Sequence, residues 1–246
     1  MKSSRNTIKI LNCTQNSILL RMPILRSTHS KVVHLLNTYN LALANSNHNY
    51  FCLLQQSEYN LIDGKFLQIS LKNFYRTQVY QLRGIDLMKS ILSTSSNGVN
   101  HLFVCPEIEN ASRLKMIITE NYPNLQCEFV VPPISNDIEV LGEAIKKLTN
   151  RQNFDYIWVG VGTPKQDFLA QILSNYFDGA YIVCIGAALD FLAGTKREAP
   201  IFMQRMGLEW FFRFGQEPRR LFKRYFIDSW GFLSLIIRRK IEIEEI

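Results

Sequence analysis

No stretch of this 246-residue chain approaches the roughly 20 uninterrupted apolar residues that a helix needs to cross a bilayer. Met1–Thr7 is polar and no long apolar segment follows it, so no secretory signal is expected. Cysteine is sparse and odd in number: Cys13, Cys52, Cys105, Cys127 and Cys184 are scattered, mostly in apolar runs, which suits reduced core thiols in a cytoplasmic protein. Neither they nor His29, His34, His48 and His101 have metal-ligand spacing, so no zinc site is expected. The chain also lacks a G-x-G-x-x-G opening an early helix, with its acidic partner downstream, which argues against a dehydrogenase or methyltransferase of nucleotide-binding fold. Repeats and low-complexity linkers are absent as well.

Charge is present but local. The net charge is +7, yet residues 195–240 hold eleven Lys and Arg against four Asp and Glu, and the remainder is balanced at seventeen of each. Such a patch meets something anionic: a phosphate, a membrane surface or nucleic acid. Nucleic-acid binding through this basic, aromatic block is the competing reading, as is a non-catalytic membrane-binding role.

Ile8–Met22 reads as a β-rich start, Lys31–Leu36 as a strand, and Leu41–Gln56 as a helix weakened by Asn45, Asn47 and Asn49. From His101 to Gly186, apolar runs of strand length alternate with helical periodicity every 25–30 residues, the spacing of βαβ units. The expected fold is α/β: a Rossmann-like, mostly parallel sheet flanked by helices over residues 1–194, with a basic helical appendage over 195–246. Within it, Pro218–Phe226 has Arg219, Arg220, Lys223 and Arg224 on one side and Leu221, Phe222, Tyr225 and Phe226 on the other. That helix can lie on an anionic membrane, pack on the core or close over a diphosphate. The apolar Trp230–Ile237, followed by Arg238–Lys240, suits a bilayer interface or docking onto the α/β body.

Two strand ends carry the candidate chemistry. After Ile157–Val159, Gly160 and Gly162 permit a tight turn, and Thr163-Pro164 supplies an N-cap and first residue for a helix over Lys165–Leu173. Free amides there, beside Lys165 and Gln166, suit a phosphate or a uracil-like ring. After Tyr181–Ile185, Gly186 turns the chain and Asp190 stands ready either to cap a helix or to accept from a sugar hydroxyl. A third stretch, GLEWFFRFGQEPRRLFKRY, interleaves aromatic and basic residues over Gly207–Tyr225.

Together, VGVGTPKQD, IGAALDFLAGTKREAP and this third stretch resemble the WecG/TagA/CpsF glycosyltransferases, and NTYN at Asn37–Asn40 and IDG at Ile62–Gly64 match two earlier family elements. The resemblance implies a UDP-sugar donor, an N-acetylmannosamine-type sugar, a polyprenyl-diphosphate-linked acceptor and inversion at the anomeric carbon. It implies that Asp63 is the catalytic base, that Thr38 contacts donor or acceptor beside Asn40 and Gly64, and that Gln166 and Asp190 line the donor pocket. Asp167 stands where the family commonly has Glu, and Leu189 where an aromatic is usual.

No two aspartates occur at D-x-D spacing, so the departing UDP needs another counter-charge, and Arg213, Arg219, Arg220 or Arg224 is expected to supply it without a metal or other cofactor. The expected location is the cytoplasmic face of a bacterial plasma membrane, held by the appendage. Nucleic acid is not an expected partner, and self-association is left open. A chain ending near Thr195 is expected to keep a folded core and to lose transferase activity.

Overall fold

A strand that is apolar on both faces needs helices above and below it, and this chain supplies them. The computed structural model describes residues 7–24, 28–150 and 153–245; the polar Met1–Asn6, read above for a signal, lies outside them. In chain order the elements are β1 (Ile8–Asn12), α1 (Gln15–Arg21), β2 (Lys31–Leu36), α2 (Thr38–Ser46), α3 (His48–Gln56), β3 (Tyr59–Ile62), α4 (Lys65–Tyr75), α5 (Gly84–Thr94), β4 (Asn100–Val104) and α6 (Ile108–Asn121). Then come β5 (Gln126–Val130), α7 (Ile138–Leu148), β6 (Tyr156–Val159), α8 (Lys165–Tyr176), β7 (Tyr181–Cys184) and α9 (Ala188–Leu192). The alternation ends there, and α10 (Ile201–Met206), α11 (Glu209–Gln216), α12 (Pro218–Phe226), a 3-10 turn (Asp228–Gly231), α13 (Phe232–Ile237) and β8 (Ile241–Glu245) complete the order.

Six strands form one sheet in the order β3-β2-β7-β6-β4-β5, every neighbouring pair parallel. The expected Rossmann-like α/β class therefore holds. One face buries Val33, Phe103, Trp158 and Val183 against Leu87, Met88 and Ile91 of α5 and Leu114 of α6. The other packs Leu102, Ile157 and Ile182 against Leu141 and Ile145 of α7 and Leu169 and Leu173 of α8. The chain runs outward from β2 to β3 on one side and from β4 to β5 on the other, so the crevice above the carboxyl ends of the central strands is the natural ligand site.

Three local expectations change. The β-rich start holds only to Asn12, because Thr14 accepts from the Ser17 amide in a capping box and starts α1, which buries Ile18. The single helix over 41–56 is two: Asn47 ends α2, donating its amide to Leu43 O at 2.8 Å, and caps α3, accepting from the Tyr50 amide at 3.1 Å. The tail is tied into the body. Phe232, Leu235 and Ile236 of α13 and Ile241 of β8 are buried with Ile8, Ile10, Leu41, Leu54 and Leu67, and β8 pairs in parallel with β1. Within Trp230–Ile237, Phe232, Leu235 and Ile236 thus dock on the α/β body while Trp230, Leu233 and Ile237 stay exposed, and the segment from residue 195 returns to the core at its far end.

That return alters the truncation experiment. A chain ending at Gly194 loses α13 and β8, the strand paired with β1, uncovering Ile8 and Ile10, both fully buried. The expected result is a lowered, broadened thermal transition in circular dichroism, with dye-binding apolar surface; an unchanged transition would contradict it.

Candidate active site

At the carboxyl ends of β3, β2, β7, β6 and β4 the turns enclose a cavity of about 790 Å³, walled on its open side by residues of α11 and α12. Thr38, Asp63, Gly64, Gly160, Gly162, Gln166, Gly186, Asp190, Arg213, Arg220 and Arg224 all line it, whereas Asn40, Pro164, Lys165 and Arg219 do not.

Asp63 follows β3 at one end. Its amide and that of Gly64 both donate to Leu36 O, at 2.9 and 3.2 Å, which holds the turn against the end of β2. Gly64 is required by close approach: a Cβ there would lie 2.9 Å from the Cβ of Asn37, the residue whose side chain caps α2 and so sets Thr38 in place. The Asp63 carboxylate accepts from the Gly84 amide at 2.9 Å, at the start of α5. Burial pushes its pKa up, opposed by that amide hydrogen bond and by Arg213 and Arg83. A partly exposed carboxylate with a raised pKa is a better proton acceptor than an ordinary surface aspartate.

Arg83, one residue before α5, binds three carboxylates: Asp86 at 3.3 Å, Glu198 at 2.8 Å and Glu209 at 2.9 Å. Glu198 precedes α10 and Glu209 opens α11, so this side chain ties the segment over the cavity to the Asp63 end. Sequence reasoning misses this role; the available signal is an arginine immediately before the helix that opens at Gly84, beside Asp86. Burial raises the Glu209 pKa, and nearby Asp63 adds to it against the pull of Arg83 and Arg213.

The turn after β6 works differently from its reading in sequence. Pro164 stands at the N-cap of α8 with no side-chain cap, and the Thr163-Pro164 peptide is cis. Gln166 folds back, accepting from the Gly162 amide at 3.2 Å and donating to Thr163 Oγ1 at 3.3 Å, while still facing the cavity. Lys165 points away, its ammonium bound to Ser135 O at 2.9 Å. Leu189 lies beneath Gly160, where a Cβ would collide with it, and is fully buried, so it is not part of the cavity wall.

Behind this turn lies a polar network invisible in the linear pattern. Asn40 donates to Tyr50 OH at 2.8 Å and to Thr163 Oγ1 at 3.4 Å; Tyr50 donates to Asp167 at 2.9 Å, and the other Asp167 oxygen meets His34 Nδ1 at 2.9 Å. Asn40 therefore braces α2 against the β6–α8 turn. Among the described residues, His34, Asp167 and Cys184 are the one group of three whose donor atoms converge enough for a metal. Hydrogen bonds already occupy both Asp167 oxygens, and burial holds the Cys184 thiol well above its ordinary pKa, which disfavours the thiolate a metal requires. The cluster is a structural brace.

At the β4 side, Asp190 accepts from Asn110 Nδ2 at 2.7 Å and pairs with Lys196 at 2.9 Å. Lys196 also reaches Glu217 at 3.1 Å, and Glu217 binds Arg220, so a chain of charges links the cavity floor to the start of α12. Asp190 lies within α9 and caps no helix with its side chain.

Above the floor stand Arg213 and Arg224. Arg213 lies over the Phe191 ring at 5.6 Å and Arg224 over Tyr39 at 4.4 Å. Among the described residues neither has an ion-pair partner, and Arg224 Nε is buried without a hydrogen bond. Burial lowers the Arg224 pKa, and Arg213 and Arg220 reinforce that shift. The faces of α12 thus differ from the helical-wheel expectation: Leu221 is buried, Arg224 and Phe226 line the cavity, and Phe222 is exposed beside Arg219 and Lys223. An anion in the cavity would relieve two close, unpaired guanidinium charges.

Comparison with known proteins accords with this geometry. The chain is similar to N-acetylglucosaminyldiphosphoundecaprenol N-acetyl-beta-D-mannosaminyltransferases of Staphylococcus aureus strains MW2 and COL, each 24% identical over 222 residues, covering 88% of this chain and 84% of the relative. The profile described as "Glycosyl transferase WecG/TagA/CpsF family" matches residues 6–245. The chain is therefore a glycosyltransferase and belongs to the WecG/TagA/CpsF family.

Proposed function

We propose that this glycosyltransferase moves an N-acetylmannosamine-type or related sugar from a UDP-sugar to a sugar carried on a polyprenyl diphosphate, with inversion, during bacterial cell-surface polysaccharide or teichoic acid synthesis. The observation that carries the reading is a carboxylate, Asp63, sharing one cavity with two arginines that have no ion-pair partner among the described residues. Asp63 takes the proton from the acceptor hydroxyl as its oxygen attacks the anomeric carbon; the carbon–oxygen bond to the β-phosphate breaks on the opposite face, and UDP departs. Arg224 offsets the charge growing on that phosphate. Thr38, at the start of α2 beside Asp63, contacts the sugars, and Gln166, Asp190 and the turns at Gly160, Gly162 and Gly186 hold the donor.

No divalent ion is needed in this scheme. Of the carboxylates that line the cavity, Asp190, Glu198 and Glu209 are already bound to Lys196 or Arg83, and Glu109 to Arg113. Residues 1–194 provide the nucleotide-sugar-binding part, and the segment from 195 completes the site and meets an anionic membrane at the cytoplasmic face. Its outer surface supports this: Phe202, Phe211, Phe222 and Ile227 are exposed beside Arg205, Arg219 and Lys223. None of the described helices is long and apolar enough to cross a bilayer.

The test is UDP release from a panel of UDP-sugars with a short-chain polyprenyl-diphosphate-linked acceptor, in EDTA. Acceptor-dependent release supports the reading. Release that requires a divalent metal overturns the arginine argument, and no release from any donor overturns the donor class.

A further inference from the structure

The cavity changes character along the sheet order, and only part of it suits a sugar nucleotide. Over β7, β6 and β4 its lining combines glycine turns and the polar side chains Gln166, Asn110, Asp190 and Lys196 with a single aromatic ring, Phe191, which Arg213 covers. Past Asp63, at the β3 edge, it is aromatic. Phe66 of α4, Trp210 of α11, Phe226 of α12 and Trp230 of the 3-10 turn all line it. Phe66 meets Trp230 edge to face at 6.4 Å, and Trp210 meets Phe226 the same way at 6.2 Å. The two pairs belong to one end, because Gly207, just before α11, lies against Lys65 at the start of α4.

These rings line the cavity and yet remain 38–54% exposed. Large apolar groups left open inside a concave site mark where an apolar ligand lies. Arg213 and Arg224 line the same cavity without ion-pair partners among the described residues. A guanidinium beside an aromatic groove, as Arg213 stands one turn from Trp210, is complementary to an amphiphile with a diphosphate head and a hydrocarbon tail.

We propose that the β3-edge end of the cavity is a binding groove for the first isoprene units of a polyprenyl diphosphate, its chain passing between Phe66, Trp210, Phe226 and Trp230 and its diphosphate facing Arg213, one turn after Trp210 on α11, which leaves Arg224 to the departing phosphate of the donor. The proposal rests on the lipid-linked acceptor of the preceding reading and assigns it a place. It sets the acceptor sugar at Asp63, between the lipid end and the polar donor end. It also gives α4 a part in substrate binding, because Phe66 belongs to the α/β body rather than to the segment over the cavity. A flat bilayer contact would not require rings turned into the cavity.

The experiment is calorimetric titration of the full chain with inorganic diphosphate, methyl diphosphate, geranyl diphosphate and farnesyl diphosphate, each monomeric in solution and without bilayer or detergent. Farnesyl diphosphate is expected to bind at least about tenfold more tightly than methyl diphosphate, with geranyl between them. In Phe66→Ser combined with Trp230→Ala, that chain-length advantage is expected to shrink to about twofold while inorganic diphosphate binds as before. Equal affinity across the series in the wild-type chain overturns the proposal without any variant. So does a variant that keeps its thermal transition and the full farnesyl advantage. Binding is read here without turnover, so a failure to transfer sugar from UDP-sugars would count against the proposed function alone, and a missing chain-length advantage against the groove alone.

Discussion

Asp63→Asn is expected to lower kcat by about 10²–10⁴-fold while the protein remains folded. Asparagine keeps the oxygen that accepts from the Gly84 amide but has no basicity, so the loss belongs to the proton-transfer step. Asp63 must be ionised to act, and burial raises its pKa. The rate should therefore fall as pH drops through a value above the ordinary carboxylate range of about 4, and the variant's residual rate should lack that acid limb. Stability runs the other way. A carboxyl whose folded pKa is raised favours its protonated form in the fold, so its contribution is fully present below the unfolded value and is lost as pH rises through the folded one. The Asp63→Asn variant, whose amide is neutral at every pH, should accordingly melt higher than the wild type at neutral pH. Glu209→Gln gives an independent check, since it removes a carboxylate near Asp63 and frees Arg83. Both changes pull the Asp63 pKa down, so the acid limb should move to lower pH. A pH profile unaltered by either substitution would exclude Asp63 as the base.

Much of this architecture is legible locally. The central strands β4, β6 and β7 are near-continuous apolar runs because helices cover both faces of a parallel sheet, and the glycine and proline turns that follow β6 and β7 stand in the sequence itself. The bounds of α12 can be read because Pro218 marks its first residue, but its faces cannot. A helical wheel sorts side chains by polarity, whereas Arg224 turns inward to stack on Tyr39, far back in the chain. β8 has no local signature either: IEIEE alternates like a surface strand, and its partner β1 lies at the other end of the chain. The same limit explains Arg83. Its partners Glu198 and Glu209 are distant in sequence, so its bridging role exists only after folding. Asn40 belongs to a matched motif and is expected at the substrate, yet it braces two turns from behind.

Arg224→Gln is the second large effect expected, a fall in kcat of about 10²–10³-fold with a smaller change in the KM for the donor sugar nucleotide. The asymmetry follows from where the charge grows: the β-phosphate of bound donor is already anionic, but leaving-group charge accumulates only as the bond breaks. Lysine at 224 should not restore the rate, because the guanidinium both stacks on Tyr39 and offers paired N–H donors, and an ammonium does neither. Arg219→Gln, outside the cavity, should change kcat by no more than about twofold, although both substitutions remove one positive charge from the same helix. Thermal stability separates function from packing. Arg224 is half-buried, with a buried, unpartnered Nε and a depressed pKa, so its neutral replacement should melt no lower than the wild type even as turnover collapses. Equal losses at 219 and 224 would mean that α12 acts through its net charge on a membrane rather than through one guanidinium on the departing phosphate.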